Sequence, residues 1–111
     1  MDADVIGNMS VGTNTSIGIV SEGNGNVTHN GDIIIADKGT GEGDTGSVGI
    51  YKLNGTGIIT TTVGNNWTVG NNGYGIFMKQ EGAESATINN NANMTLRMAA
   101  VGIYGSGENA V

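Results

Sequence analysis

The chain has 111 residues, 21 of them glycine, with no proline, no cysteine and a net charge of −6. Its glycines lack the every-third spacing of collagen, and 37% hydrophobic against 13% charged residues argues against disorder. Four scattered basic residues, Lys38, Lys52, Lys79 and Arg97, offer no footprint for a phosphate backbone, which excludes nucleic acid as a partner.

Taken in chain order, the apolar residues fall into short groups rich in Val, Ile and Met, separated by Gly and Asn. That composition suits strands, and no run has helical spacing. Val5-Ile6 opens the chain as a truncated first element. Asn8-Met9-Ser10-Val11 and Ser16-Ile17-Gly18-Ile19-Val20 follow. The same order then returns: Val27-Thr28, Asp32-Ile33-Ile34-Ile35 and Ser47-Val48-Gly49-Ile50-Tyr51. A third pass runs through Ile58 to Val63, Asn66-Trp67-Thr68-Val69 and Gly73-Tyr74-Gly75-Ile76-Phe77. A fourth runs through Thr87-Ile88, Asn93-Met94-Thr95-Leu96 and Ala100-Val101-Gly102-Ile103-Tyr104. The glycines at 18, 49, 75 and 102 lie 31, 26 and 27 residues apart.

Self-similarity at this period, with three short strands per repeat, predicts a right-handed parallel β-helix, or β-solenoid. It would have about four coils of roughly 27 residues and extend roughly 20 Å along its axis at the usual strand spacing. Residues 1–111 then form one β-helix segment, read as a fragment of something longer, with 36–46 as a protruding loop. Alternation places Met9 and Val11, Trp67 and Val69, and Met94 and Leu96 inside, with the hydroxyl between them outside. By the same rule Val48 and Ile50, Tyr74 and Ile76, and their counterparts face inward, and the intervening glycine faces out. Asn8, Asp32, Asn66 and Asn93 form a turn ladder, because Asn and Asp tolerate left-handed backbone. Val20, Tyr51, Phe77 and Tyr104 form an outward column.

Several motifs invite chemistry. Gly41 to Gly46 matches GxGxxG, but no helix follows to meet a pyrophosphate. Asp37, Glu42 and Asp44 in the same loop are calcium candidates, weighed against a solvated loop because the tandem nonapeptide of calcium-binding β-rolls is missing. Six Asn-x-Ser/Thr sequons begin at Asn8, Asn14, Asn26, Asn54, Asn66 and Asn93, and the repeat geometry itself generates three of them. His29 has no second His or Cys as a metal partner and reads as a surface turn residue. Glu22, Glu81, Glu84 and Glu108 sit in Gly-rich turns with Lys52 and Lys79 interspersed. A glycan-cleaving β-helix would need such acids to converge. No catalytic residue and no cofactor is assigned. Tyr51, Phe77 and Tyr104 are the candidate partner surface, as a platform for sugar rings or a protein.

The phrases SVGIYKLNGTGIITTTVGNNWTVGNNGYGIF and ANMTLRMAAVGIYGSGENA resemble the passenger-domain repeats of large fusobacterial type V autotransporter adhesins. The resemblance covers essentially the whole chain. It implies a surface-exposed stalk, anchored through a C-terminal outer-membrane barrel, that attaches to a host-cell or bacterial receptor or glycan. No catalytic residues carry over from such adhesins. The expectation is therefore a non-catalytic stalk or adhesion segment at the cell surface, with a polysaccharide-degrading β-helical enzyme as the alternative. No membrane contact by this segment is expected, since no run approaches the roughly 20 apolar residues of a membrane helix. Terminal coils without polar caps point to end-to-end self-association or to marginal stability in isolation.

Overall fold

A computed structural model describes residues 2–82 and 84–107. Twelve strands make three parallel sheets of four strands each. The first sheet stacks β1 (Ala3–Ile6), β4 (Val27–Asn30), β7 (Ile58–Thr61) and β10 (Thr87–Asn89). The second stacks β2 (Met9–Val11), β5 (Ile33–Ile35), β8 (Asn66–Val69) and β11 (Asn93–Leu96). The third stacks β3 (Ile17–Glu22), β6 (Val48–Leu53), β9 (Tyr74–Lys79) and β12 (Val101–Ser106). The chain visits the three sheets in turn and begins again one layer up. That is a β-solenoid of four coils with three strands per coil, and no helix occurs among the described residues. The first element is not truncated, since β1 pairs with β4 over all four of its residues. The extents of 36 × 30 × 19 Å match four layers along the short axis, so the stack is broader than it is tall.

Side chains on the second sheet alternate as expected. Ile33 and Ile35 are buried around an exposed Ile34, and Trp67 and Val69 are buried around Thr68. Stacking places Met9, Ile33, Trp67 and Met94 in one column and Val11, Ile35, Val69 and Leu96 in another. Ile50 and Ile76 face them from the third sheet, and Val27 and Ile59 close the core from the first.

The third sheet departs from simple alternation. Its glycine column faces inward, and the reason is the bulk opposite. A Cβ on Gly49 would lie 3.0 Å from the Trp67 ring and 3.1 Å from Ile35, and one on Gly18 would lie 2.5 Å from the Met9 sulfur. Gly75 meets Met94 in the same way. The Ile that follows is also interior, with Ile50 and Ile76 wholly buried, so two successive residues face the core. The in-register pairs between these strands skip the glycine in every layer, which marks a local break in the pleat. Tyr74 is consequently not an inward residue. Its ring packs against Phe77 and Tyr104 on the other face.

Asn and Asp side chains stitch the corners from one coil to the next. Asn8 Oδ1 accepts from the Asp32 amide at 2.9 Å, and Asp32 Oδ1 accepts from the Asn66 amide at 2.7 Å. Asn93 Nδ2 continues the column by donating to Asn66 Oδ1 at 3.4 Å. A second column runs from Asp37 to the Asn71 amide and from Asn71 to the Met98 amide. A third runs from Asp2 to the Asn26 amide and from Asn26 to the Ile58 amide. The ladder therefore exists, but left-handed backbone is not its cause. Among the described residues the non-glycine positions with positive φ are Asn14, Thr15, Asn54, Asn72 and Ala99, none of them in these columns. What the column residues supply is a short side-chain oxygen that reaches the amide one layer up.

His29 is interior rather than a surface turn residue. It sits on β4, fully buried, donating from Nε2 to the Gly7 carbonyl at 3.1 Å and lying edge-on to Trp67 at 6.1 Å. Alternation along β4 explains this, because Val27 and His29 share one face.

Two outcomes follow from this packing. Gly49→Ala should lower unfolding stability by about 1–3 kcal/mol in urea titrations, the usual penalty for overpacking. Gly82→Ala, where nothing lies within 4 Å, should be close to neutral. His29 gives a pH signature. Burial pushes its pKa below the ordinary 6.5, so the unfolded chain takes up the proton first as pH falls. Stability is then complete above about pH 6.5 and declines below it. Melting curves should fall between pH 7 and pH 5 in the wild type. They should flatten in His29→Gln, because the sequence has one histidine.

Candidate functional site

The third sheet carries the aromatic column on its outer face. Parallel in-register pairing puts Tyr51, Phe77 and Tyr104 directly above one another. Tyr51 and Phe77 stack with centroids 5.3 Å apart at 4°, and Phe77 and Tyr104 stack at 4.7 Å and 29°. Tyr74 meets Phe77 edge-on at 5.2 Å and Tyr104 at 5.9 Å, a fourth ring that sequence alternation had placed inside. Val20 continues the column in the first coil without a ring and is 62% exposed.

The geometry decides what this surface can offer. A sugar ring is recognised by the face of an aromatic ring, where its C–H groups meet π density. Here both faces of Phe77 are occupied, by Tyr51 on one side and Tyr104 on the other. Half-buried Tyr51 and Phe77 turn ring edges outward, and Tyr104 at the end of the column is 41% exposed. The stack therefore works first as internal cohesion of the sheet.

The calcium candidates are not brought together. Asp44 is buried, and both of its oxygens are committed to donors. Oδ2 accepts from Thr13 Oγ1 at 3.0 Å, the Asn14 amide at 2.9 Å and the Gly39 amide at 2.7 Å. Oδ1 accepts from the Thr15 amide at 3.1 Å, Thr15 Oγ1 at 3.2 Å and the Gly46 amide at 3.0 Å. These bonds hold the Asp44 carboxyl far below the usual carboxylate range, the Gly46 amide contributing most. An oxygen ringed by N–H and O–H groups has no lone pair to give a cation. Asp37 Oδ1 is taken by the Asn71 amide at 2.8 Å, while Glu42 is exposed. Among the described residues no three His, Asp or Glu side chains converge to hold a metal.

Asp44 has a structural task instead. Asn14 and Thr15 adopt φ of 65° and 55°, which is costly for a β-branched threonine. The carboxylate clamps that turn and ties residues 36–46 down onto the first coil. Serine joins it, since Ser47 Oγ donates to the Gly12 carbonyl at 2.6 Å and accepts from the Ser16 amide at 3.0 Å. The GxGxxG stretch leads into β6, a strand.

The acids near the third corner also resolve. Lys52 is not interspersed among them at the surface. It is fully buried, and its ammonium donates to the carbonyls of Gly23 and Asn54. Burial lowers its pKa, and the charges of Glu22 and Glu84 act in the opposite direction. Gln80, buried beside it in the stack, donates to the Gly55 carbonyl at 2.9 Å and to that of Glu84 at 3.1 Å. Glu81 pairs with Lys79 at 3.0 Å, both exposed. Glu108 lies outside the described residues.

Of the sequon asparagines, Asn8, Asn26 and Asn54 use their side-chain oxygens on amides of the next coil, at 2.9, 2.9 and 2.7 Å. On the second sheet a groove is lined by Ile34, Asp37, Thr68 and Arg97, a feature the strand pattern did not bring out. In comparisons with known proteins, no family model matches the chain, and neither does any curated protein or solved structure.

Asp44 makes a measurable prediction. A carboxyl whose folded pKa is depressed contributes stability above its unfolded value of about 4 and loses it below. Asp44→Asn should lower the melting temperature at neutral pH. The gap from wild type should then narrow as the pH drops below about 4. Calorimetric melts from pH 7 to pH 2.5 would show it.

Proposed function

We propose that this chain is a non-catalytic β-helical segment of a bacterial surface autotransporter adhesin, supplying stalk length that supports attachment to host cells or other bacteria. The family part of the reading rests on the repeat phrases, with GIY returning at Gly49-Ile50-Tyr51 and Gly102-Ile103-Tyr104. In the full-length protein a C-terminal outer-membrane barrel would anchor the stalk at the cell surface.

The observation that favours a stalk is how completely the columns consume their own chemistry. Both faces of Phe77 are spent on neighbouring rings, corner carboxamides and carboxylates on the next coil, and the buried Asp44 carboxylate on a turn. A receptor or glycan is left with the ring edges of the column and with the face of Tyr104 that Phe77 does not stack on. A polysaccharide-cleaving β-helix would need two or three acids converging in a groove. Glu81 is instead paired with Lys79, and the lysine nearest Glu22 and Glu84 is locked on backbone carbonyls.

Two assays test the reading. Placed between a secretion signal and an outer-membrane barrel, the chain should reach the bacterial surface folded and display a reporter fused to it; retention inside the cell counts against it. Incubation with a polysaccharide panel should release no reducing ends or unsaturated products, and release would replace the stalk with the enzyme. If the displayed chain binds cells or glycans and the triple change Tyr51→Ser, Phe77→Ser, Tyr104→Ser abolishes binding, this segment is a contact face rather than a spacer.

A further inference from the structure

Four asparagines, Asn24, Asn30, Asn54 and Asn72, are followed directly by glycine. Glycine has no Cβ to shield its amide nitrogen, so that nitrogen can reach the side-chain carbon of the asparagine before it. We infer that Asn24 is a self-modification site, which deamidates in the folded protein through a cyclic imide with Gly25 while the other three pairs are held. The Gly25 nitrogen bonds to Asn24 Cγ and gives up its proton. The Cγ–Nδ2 bond breaks and ammonia carries that proton away. Water then opens the imide, at Cγ to leave aspartate or at the main-chain carbonyl to leave isoaspartate, with no change of oxidation state. Negative charge develops on Oδ1 during the attack, and Asn24 Oδ1 already accepts from the Thr56 amide at 2.9 Å. A donor fixed at that place stabilises the developing charge. The inference is independent of the adhesin reading.

The fold separates the four pairs. After Asn72, Gly73 is buried and its amide donates to the Gly70 carbonyl at 3.0 Å. Asn54 Oδ1 is held by the Glu81 amide at 2.7 Å, but Gly55 is buried so closely that a Cβ on it would lie 2.0 Å from the Gly23 carbonyl oxygen. Asn30 ends β4 with its carbonyl accepting from the Gly7 amide at 2.9 Å, and Gly31 is packed as tightly against Gly7. Asn24 lies instead in a bend between β3 and β4, exposed, with Gly25 half-buried. That exposure belongs to the corner and not to the first coil, since Thr56, at the same place one coil on, is exposed with a coil on either side. The product also fits. Corner columns use only the side-chain oxygen, and Asp2, Asp32 and Asp37 already fill such places. Aspartate at position 24 keeps the bond to Thr56 and adds one negative charge, whereas isoaspartate runs the main chain through the former side chain and draws the oxygen away.

The folded chain, held in warm alkaline buffer made with heavy-oxygen water, tests this by mass spectrometry of the peptides that carry each Asn-Gly pair. The Asn24 peptide should exchange NH for labelled oxygen several-fold faster than the other three, with part of the product as isoaspartate. In urea the four rates should converge, because the fold is what separates them. Gly25→Ala, its fold checked by circular dichroism, should slow conversion at Asn24 several-fold. Asn24→Asp, the product made directly, should fold and melt close to the wild type. Another pair converting first in the folded chain, all four converting together there, or Asn24 staying intact until urea is added would each overturn the inference. So would an undiminished rate in folded Gly25→Ala, or an Asn24→Asp chain that does not fold.

Discussion

Parallel, in-register stacking at the strand spacing is the constraint on which everything else here depends. It places each residue about 4.8 Å from its equivalent in the next coil, so every column must tolerate its own kind. Ile above Ile, ring above ring and amide above carboxamide are all favourable. Charge above like charge is not, and the sequence largely avoids it: the column through Glu22 continues as Leu53, Lys79 and Ser106. The same rule explains the low charged fraction, 13%, better than any demand of a partner does.

Within that constraint the coils differ in how they solve local problems. The second coil buries Lys52 and gives its ammonium to corner carbonyls that the glycine-rich turns leave without strand partners. The third uses Gln80 for the same purpose. Between the second and third sheets the extra residues of 36–46 are disciplined by one carboxylate that gathers amides from two coils. Regular columns carry the stack, and single polar side chains repair it where the repeat is broken.

The period, the three strands per coil and the corner ladder were legible because they recur four times, and recurrence outweighs the ambiguity of any one short strand. What escaped were the features set by bulk across the core. Alternation read Gly49 as outward, since nothing in its own strand reports that Trp67 lies opposite. The break in the pleat there also moved Tyr74 into the aromatic column. His29 and Asp44 were misread for a related reason. Each occurs once, so no column flagged it, and polarity alone suggested solvent. The spacing of His29 two residues after Val27 was the available signal, because it put both on the core face.

The central claim is the register together with the inward glycine column, and a nuclear Overhauser spectrum tests it most directly. The account predicts contacts from the indole of Trp67 to the α-protons of Gly49, and between the rings of Tyr51 and Phe77. It also predicts backbone contacts that join Ile50 to Ile76. A register displaced by one residue, or an indole lying against solvent with Gly49 on the outer face, would contradict it.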